Sequence, residues 1–272
     1  MTQAVNEALG EAADAFRVTR GDAVATITID RPGKQNAISY AMWLALGRLM
    51  PVLAADDEVA VVVLRGVEGG PFSAGADIAE FTTLRLDATG ARRYGEAVAS
   101  GEQALVAFPK PTIALVQGYC IGGGTQLALA CDLRVCDASA RFGITPAKLG
   151  IVYALPSTAR LVETVGPAWA RWILFTADLL DAPTALRIGL VHETVAEDVV
   201  ARAYDLATTI ASRARISLTG SKVLVERAAQ GERVEDDAVR ALYEESYRSV
   251  EYAEGVAAFL DKRAADFAAA RH

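Results

Sequence analysis

The stretch GYCIGGGTQLALACD, from Gly118 to Asp132, places three consecutive glycines between an apolar run and a helix-forming run. The preceding residues, 111–117, contain the apolar run IALV, which is typical of a strand buried on both faces. The segment VVVLRGVEGGPFSAGADIAEF, residues 61–81, repeats this design of a buried strand, a loop of small residues and the start of a helix. Strand followed by helix therefore recurs, which indicates an α/β core.

The two loops of small residues predict a site for an oxygen that carries negative charge. Small residues let a ligand approach the backbone closely, and the N–H groups at a helix start lack intrahelical acceptors. If the loops face each other, they offer two donors to a thioester or ester carbonyl that becomes an oxyanion. No Lys-Ser/Thr pair follows the glycines and GxGxxG spacing is not met, so nucleotide sites are disfavoured.

Further strands and helices follow from apolar periodicity and turn signals. They are a hairpin at 18–32, a helix capped by Ser39 that runs to about Asp56, a strand at 59–66, a helix at 87–108, a helix at 122–131, and short strands at 133–136 and 140–142. From Pro156 onward amphipathic helices dominate, with one short strand near Leu190 and a last helical stretch at 235–267. We predict an α/β core at 1–200 and a helical C-terminal extension at 201–272.

Composition narrows the possible functions. The 272 residues carry a formal net charge of −7 with no basic block, which disfavours a nucleic-acid partner. No stretch reaches the roughly 18 apolar residues of a membrane span. The N-terminus lacks the features of a secretory signal, so we expect a cytoplasmic protein. With two histidines and three cysteines without CxxC spacing, we expect no metal site, no His-based triad and buried thiols.

Several motifs, in order, resemble the enoyl-CoA hydratase/isomerase (crotonase) superfamily over residues 17–268. They are IDRPGKQNAIS, FSAGADIAEF, KPTIALVQGYCIGGGTQLALACDLRV, Phe142-Gly143, Leu149-Gly150 and EGVAAFLDKRAADF. The resemblance implies a crotonase-like spiral of ββα units, trimers or dimers of trimers, and acyl-CoA thioester substrates. It implies no cofactor beyond the coenzyme A of the substrate.

The same resemblance implies roles for individual residues. The N–H groups of Ala74 and Gly123 would be the oxyanion donors. Lys262 would bring its charge to the coenzyme A of its own or a neighbouring chain, and the 201–272 extension would serve trimerisation and this contact. The implied coenzyme A residues are Ala74, Gly75, Ala76, Asp77, Ile78 and Lys262.

Two positions depart from the hydratases of this family. Where those enzymes carry two glutamates that activate and orient water, this sequence has Gln126 and Pro146. Glutamine does not titrate and proline has no side-chain acceptor, so neither is a general base at neutral pH. The sequence therefore does not support the two-glutamate hydration mechanism, and Gln126 is a catalytic position whose chemistry has changed.

The segment TPAKLGIVY is similar to TPxNLGxPY of methylmalonyl-CoA decarboxylases in the same superfamily. This local resemblance places Thr145 and Tyr153 at the acyl group as polar catalytic groups. Loss of CO₂ creates the thioester enolate without any base, so such a site could decarboxylate a malonyl-type CoA. Ala76, however, stands where those enzymes carry a histidine.

Two other functions stay open from the sequence. One is an enoyl-CoA hydratase or isomerase whose base lies elsewhere, for example at Glu80 or Tyr153. The other is a non-catalytic acyl-CoA binding protein that keeps the oxyanion donors.

The other polar residues near these motifs have simpler expected roles. We expect Asp77 to form a turn or to cap the helix that follows it, Glu80 to complete that cap, and Asp132 to pair with an arginine such as Arg134 or Arg160. Lys148 is expected at the surface.

Overall fold

The computed structural model describes residues 2–271, and its central feature is a mostly parallel six-stranded sheet. The strands in chain order are β1 (Phe16–Gly21), β2 (Val24–Ile29), β3 (Val61–Gly66), β4 (Thr112–Val116), β5 (Tyr119–Ile121), β6 (Leu133–Asp137), β7 (Arg141–Gly143), β8 (Leu180–Asp181) and β9 (Glu193–Val195). The large sheet has the order β1-β2-β3-β4-β6-β9, and β5, β7 and β8 form a small second sheet. Only the hairpin pair β1–β2 is antiparallel within the large sheet.

Helices cover both faces of the sheet and make up the C-terminal part. They are α1 (Thr2–Leu9), α2 (Tyr40–Ala55), α3 (Phe81–Leu84), α4 (Ala88–Val106), α5 (Gly123–Ala130), α6 (Leu155–Thr176), α7 (Ala182–Arg187), α8 (Val199–Ala211), α9 (Arg215–Ala229), α10 (Asp237–Arg248), α11 (Val250–Leu260) and α12 (Phe267–Ala270). The predicted cap of α2 is confirmed, because the Ser39 hydroxyl accepts a hydrogen bond from the Met42 N–H. The predicted α/β fold with a helical C-terminal part is confirmed.

The main apolar core lies between the sheet and helices α2, α4 and α5. Trp43, Leu46 and Leu49 project from α2 and are fully buried against Ile27 and Leu64 of the sheet. A smaller cluster on the opposite face packs α8 against β3 and β4. The proposed division at residue 200 stays a prediction.

The last predicted helical stretch is broken, which corrects the sequence expectation for 235–267. Ser249 has an extended backbone and its hydroxyl accepts from the Tyr252 N–H, so it ends α10 and starts α11. Lys262 adopts a left-handed conformation with φ of 55°, which ends the second helix. Within residues 2–271, no helix has both the length and the apolar character that crossing a bilayer would require.

The two loops of small residues face each other, which is the condition for two donors at one site. Strands β3 and β4 are parallel neighbours, so the loops that follow them leave the sheet at the same edge. The Phe72 N–H donates to the Gln117 carbonyl at 2.8 Å and the Ser73 N–H donates to the Tyr119 carbonyl at 2.8 Å. The Ile121 N–H returns a bond of 3.0 Å to the Ser73 carbonyl. These bonds fix the register of one loop against the other.

Candidate active site

The first loop offers a backbone donor at Ala76 and not at Ala74. The Ala74 N–H donates to the Gln35 carbonyl at 3.0 Å, so this group is already engaged and the predicted role of Ala74 as an oxyanion donor is corrected. The loop is held to Ile38 through the Gly75 carbonyl and the Asp77 N–H, at 2.7 and 2.9 Å. The Ala76 N–H lies between these two bonds and has no partner within residues 2–271.

The second loop offers the N–H of Gly123, the first residue of α5. A first-turn N–H has no intrahelical acceptor, and this one has no other partner in the described chain. A Cβ built on Gly123 would lie 3.5 Å from the Ala76 nitrogen and 3.1 Å from Cζ2 of Trp43. The two unengaged N–H groups are therefore close neighbours, and both residues are partly exposed, so a ligand can reach them.

Glycine is required where the two loops touch. Gly75 has a φ of 104°, and a Cβ on it would lie 2.9 Å from the Ile121 carbonyl oxygen. Gly124 lies against the other loop so closely that a Cβ on it would be 2.8 Å from the Ser73 carbonyl oxygen. Real Cβ atoms do not approach this closely, so the loops can meet only through glycine.

Gln126 belongs to a buried polar cluster that the sequence did not reveal. Its Nε2 donates to Oε2 of Glu102 at 2.5 Å and to the hydroxyl of Ser157 at 2.8 Å. The Ser157 hydroxyl donates to the same Glu102 oxygen at 2.7 Å, and Arg160 forms an ion pair with the other carboxylate oxygen. The Glu102 side chain is 5% exposed. A carboxylate thus lies one hydrogen bond away from the position where the hydratases that the sequence resembles carry a glutamate.

Tyr153 places a buried hydroxyl beside this cluster. Burial, followed by the nearby charge of Glu102, raises the pKa of Tyr153, so the phenol keeps its proton at neutral pH. Its hydroxyl has no hydrogen-bond partner within residues 2–271. Tyr153 can therefore donate a hydrogen bond but is unsuited to act as a base.

Thr145 lies beside the start of α5. The Gly143 carbonyl, two residues before it, accepts from the Gly122 N–H at 2.7 Å and from the Thr125 hydroxyl at 3.0 Å. Thr145 is partly buried, and its side chain does not cap the short 3₁₀ helix Pro146–Leu149 that follows. Its role at the acyl group stays a prediction.

Asp77 and Glu80 do not cap the helix that follows them, which corrects the sequence expectation. Asp77 forms an ion pair with Arg31 at 3.0 Å. The Glu80 carboxylate accepts from the Tyr40 N–H at 2.7 Å and so satisfies the first turn of α2 instead. Because this bond engages Glu80 in the structure of α2, it is a poor candidate for a relocated base.

The expected arginine partners of Asp132 are also wrong. The Asp132 carboxylate pairs with Lys222 at 2.8 Å and accepts from the Thr112 N–H at 2.7 Å. The Arg134 guanidinium instead donates to carbonyls, including that of Leu190 at 2.8 Å. Arg160 pairs with Glu102, as described above. Lys148 is exposed, as expected.

The predicted coenzyme A residues of the first loop differ in exposure. Ile78 is 46% exposed and Ala74 and Ala76 are partly exposed, whereas Gly75 and Asp77 are buried. Lys262 is exposed at the end of α11 and forms no ion pair with the described residues. These contacts with coenzyme A stay predictions.

The cysteines are poor nucleophiles because all three are buried. Burial raises the pKa of the Cys131 thiol to about 12 and that of Cys136 to about 11. Burial likewise raises the pKa of Cys120. Thiolate chemistry at neutral pH therefore has no suitable group here.

Glu102 is the residue that sequence reasoning missed. A signal was present, since Glu102 falls on the apolar stripe of α4 between Val98 and Leu105 at helical spacing. A charged residue on a buried stripe needs partners, and these come from α5 and α6, distant in the sequence.

Comparison with known proteins gives one consistent family. Residues 19–270 match the family described as Enoyl-CoA hydratase/isomerase. The chain is 34% identical over 251 residues to a protein named crotonyl-CoA hydratase from Syntrophomonas wolfei, covering 90% of this chain and 94% of that protein. It is 31% identical to the mitochondrial enoyl-CoA hydratase domain-containing protein 2 of Mus musculus, covering 90% and 84%.

Solved structures agree with the sequence comparison. A putative enoyl-CoA hydratase/isomerase family protein from Hyphomonas neptunium is 35% identical with a TM-score of 0.89, covering 93% of this chain and 97% of that one. An enoyl-CoA hydratase/carnithine racemase from Magnetospirillum magneticum is 34% identical with a TM-score of 0.90, covering 93% and 95%.

Proposed function

This chain belongs to the enoyl-CoA hydratase/isomerase family, and from that membership we propose that it is an enzyme which stabilises the enolate of an acyl-CoA thioester. The observation that carries the proposal is the pair of unengaged N–H groups of Ala76 and Gly123 on facing loops. Donors fixed in advance at a developing oxyanion contribute about 3–4 kcal/mol each to the transition state. The folded chain holds both without rearrangement.

The reaction that we favour is hydration or double-bond isomerisation of an enoyl-CoA, both of which form or break a C–H bond at the α-carbon, without the two-glutamate mechanism. Relatives at 31–34% identity are named as hydratases. Gln126 and Pro146 cannot replace the two glutamates, so the base must lie elsewhere. Neither base suggested by the sequence fits, because Tyr153 keeps its proton and Glu80 holds the start of α2.

Decarboxylation of a malonyl-type CoA is a second candidate, because it would need the oxyanion donors but no base. Two features weaken this candidate. Ala76 offers no polar side chain to orient a carboxylate, and the nearby Arg160 is already paired with Glu102. A non-catalytic acyl-CoA binding protein is the third candidate. Such a protein would keep the oxyanion donors but would have no use for the buried Glu102 carboxylate that is bonded to Gln126.

The assembly and coenzyme A contacts complete the proposal. The outer faces of α11 and of the last turn of α6 expose large apolar side chains, with Phe259 83% and Phe175 77% exposed. Such faces support the homotrimer or dimer of trimers that the family resemblance implies. Ala74–Ile78 and Lys262 would hold the coenzyme A part of the substrate, and the reaction would need no separate cofactor. The protein would act in the cytoplasm.

Acetoacetyl-CoA tests the proposed function without depending on a base in the protein. Its α-proton is acidic enough to ionise unaided, and its enolate has a distinct ultraviolet absorbance. We expect the protein to increase the enolate fraction at neutral pH, and we expect butyryl-CoA to compete. An unchanged spectrum at saturating protein would overturn the proposal.

A panel of thioesters then separates the reactions. Crotonyl-CoA reports hydration, 3-hexenoyl-CoA reports isomerisation, and methylmalonyl-CoA reports decarboxylation. We expect turnover of one of the first two. Release of CO₂ from methylmalonyl-CoA alone would favour the second candidate, and enolate binding without turnover of any thioester would favour the binding protein.

A further inference from the structure

We propose that Glu102 is the catalytic base of this site and moves the α-proton of the acyl-CoA. The inference rests on the proposed function, and it assigns to α4 a role that α5 has lost. The starting point is the 2.5 Å bond from Nε2 of Gln126 to Oε2 of Glu102. Gln126 of α5 stands where the related hydratases carry a glutamate, and the carboxylate bonded to its amide is that of Glu102 on α4.

The packing around Trp43 independently places Glu102 close to the oxyanion donors. A Cβ built on Gly101 would lie 3.0 Å from Cε3 of Trp43, and a Cβ built on Gly123 would lie 3.1 Å from Cζ2 of the same side chain. These two carbons are on opposite sides of one six-membered ring. The six-membered ring, with one van der Waals contact on each side, therefore separates the Cβ position of Gly101, next to Glu102, from the Cβ position of Gly123.

The partners of Glu102 distinguish it from a structural carboxylate. Within residues 2–271 its donors are all side chains, those of Gln126, Ser157 and Arg160, and it accepts from no backbone N–H. Glu251 provides the contrast, because its side chain is equally buried and also pairs with an arginine. Glu251 accepts from the N–H groups of Arg215 and Ile216 and so fixes the start of α9. Glu251 therefore stabilises the start of a helix, whereas Glu102 has no such structural role in the described chain.

The carboxylate of Glu102 retains room for a proton. An ionised carboxylate has about four acceptor sites, and three donors occupy three of them. Beside the cluster lies the Tyr153 hydroxyl, buried and without a partner in the described chain. A buried donor left unpaired is costly, so its presence points to a substrate group that completes the site.

The proposed step is a proton transfer that needs no co-reactant. A Glu102 oxygen accepts the proton from the α-carbon, and the electron pair of the broken C–H bond forms the double bond of the enolate. The thioester carbonyl electrons move onto its oxygen, which the Ala76 and Gly123 N–H groups hold. The proton then returns from Glu102 to the α-carbon, giving exchange, or to the γ-carbon of an enoyl chain, giving isomerisation.

Exchange of the α-protons of butyryl-CoA and octanoyl-CoA in D₂O tests this step directly, with mass spectrometry as the readout. We expect Glu102→Gln to slow exchange by about 10²–10⁴-fold, the range for loss of a general base. Glu251→Gln removes an equally buried arginine partner and is the matched control, with exchange per folded molecule unchanged. Exchange by Glu102→Gln at the wild-type rate would overturn the proposal.

A swap variant separates a catalytic role from a structural one. Glu102→Gln combined with Gln126→Glu exchanges the amide and the carboxylate across one hydrogen bond at constant side-chain volume. We expect this variant to recover at least ten-fold of the exchange lost in Glu102→Gln. A swap variant that folds, shows the acetoacetyl-CoA enolate signal and exchanges no faster than the single variant would contradict the proposal.

Two further measurements cover poor folding and failure of the underlying function. If Glu102→Gln unfolds, Glu102→Asp replaces it, because aspartate keeps the charge but is one methylene shorter and so holds the carboxylate farther from the α-carbon. We expect Glu102→Asp to exchange at least ten-fold more slowly than the wild type and to show a normal enolate signal. Unchanged exchange in Glu102→Asp would count against the proposal. A wild-type protein that stabilises the acetoacetyl-CoA enolate but exchanges neither thioester would overturn the role of Glu102 while leaving the proposed function intact.

Discussion

Replacing Ala76 and Ala74 in turn by proline separates the two candidate donors of the first loop. Proline removes the backbone N–H and keeps the carbonyl. At Ala76 the lost N–H has no partner, and the neighbouring bonds to Ile38 run through Gly75 and Asp77. At Ala74 the lost N–H is the one bonded to the Gln35 carbonyl at 3.0 Å. The two variants should therefore fail in opposite ways.

The expected magnitudes follow from these bonds. Loss of one oxyanion donor costs about 10²–10³-fold in catalysis, so we expect Ala76→Pro to lose this factor in turnover and most of the enolate signal. Its free energy of unfolding should change by less than about 1 kcal/mol. We expect Ala74→Pro to lose about 1–3 kcal/mol of stability, because the Gln35 carbonyl is left unpaired, and to keep most of its enolate signal per folded molecule.

The assay pairs urea unfolding with titration of acetoacetyl-CoA followed by enolate absorbance. Ala76→Ser is the matched control, since it changes the side chain and keeps the N–H. The opposite pattern, with enolate stabilisation intact in Ala76→Pro and lost in Ala74→Pro, would refute the assignment of the donor.

Three further predictions concern packing, capping and thiol reactivity. Gly124→Ala should lower the free energy of unfolding in urea by about 1–3 kcal/mol, because its Cβ would lie 2.8 Å from the Ser73 carbonyl oxygen. Gly95→Ala is the control, since a Cβ on this glycine of α4 would meet nothing within 4 Å, and it should raise the free energy of unfolding by about 0.5–1 kcal/mol. Equal effects of the two substitutions would contradict the close loop contact. Ser249→Ala should lower the free energy of unfolding by about 1 kcal/mol through loss of the cap of α11, and no loss would count against that cap. The three cysteines should resist iodoacetamide at pH 8 until urea unfolds the chain, because burial raises each thiol pKa and keeps the thiol protonated; rapid labelling of the native protein would show that the thiols are accessible.

Local signals in the sequence predicted the fold well. The Ser39 cap and the buried strands before each glycine-containing loop depend on residues close together in the chain or on strands of strong apolar character. The start of α5 at Gly123 was predicted within one residue for the same reason.

The site was predicted less well because its details depend on contacts that are distant in the sequence. Bonds to Gln35 and Ile38, about forty residues earlier, decide which N–H group of the first loop stays free. Sequence periodicity does not encode the register of this loop against residues 35–38. The Glu102 cluster joins three helices, and Asp132 finds its cation at Lys222, ninety residues on. Such pairings emerge only when the helices are packed.

A crystal structure with acetoacetyl-CoA bound tests the central claim most directly. We predict that the thioester oxygen lies about 2.7–3.1 Å from both the Ala76 and the Gly123 nitrogens. The α-carbon should lie about 3–3.5 Å from a carboxylate oxygen of Glu102. A thioester oxygen held at Ala74, or an α-carbon that only Tyr153 or Thr145 can reach, would contradict the account.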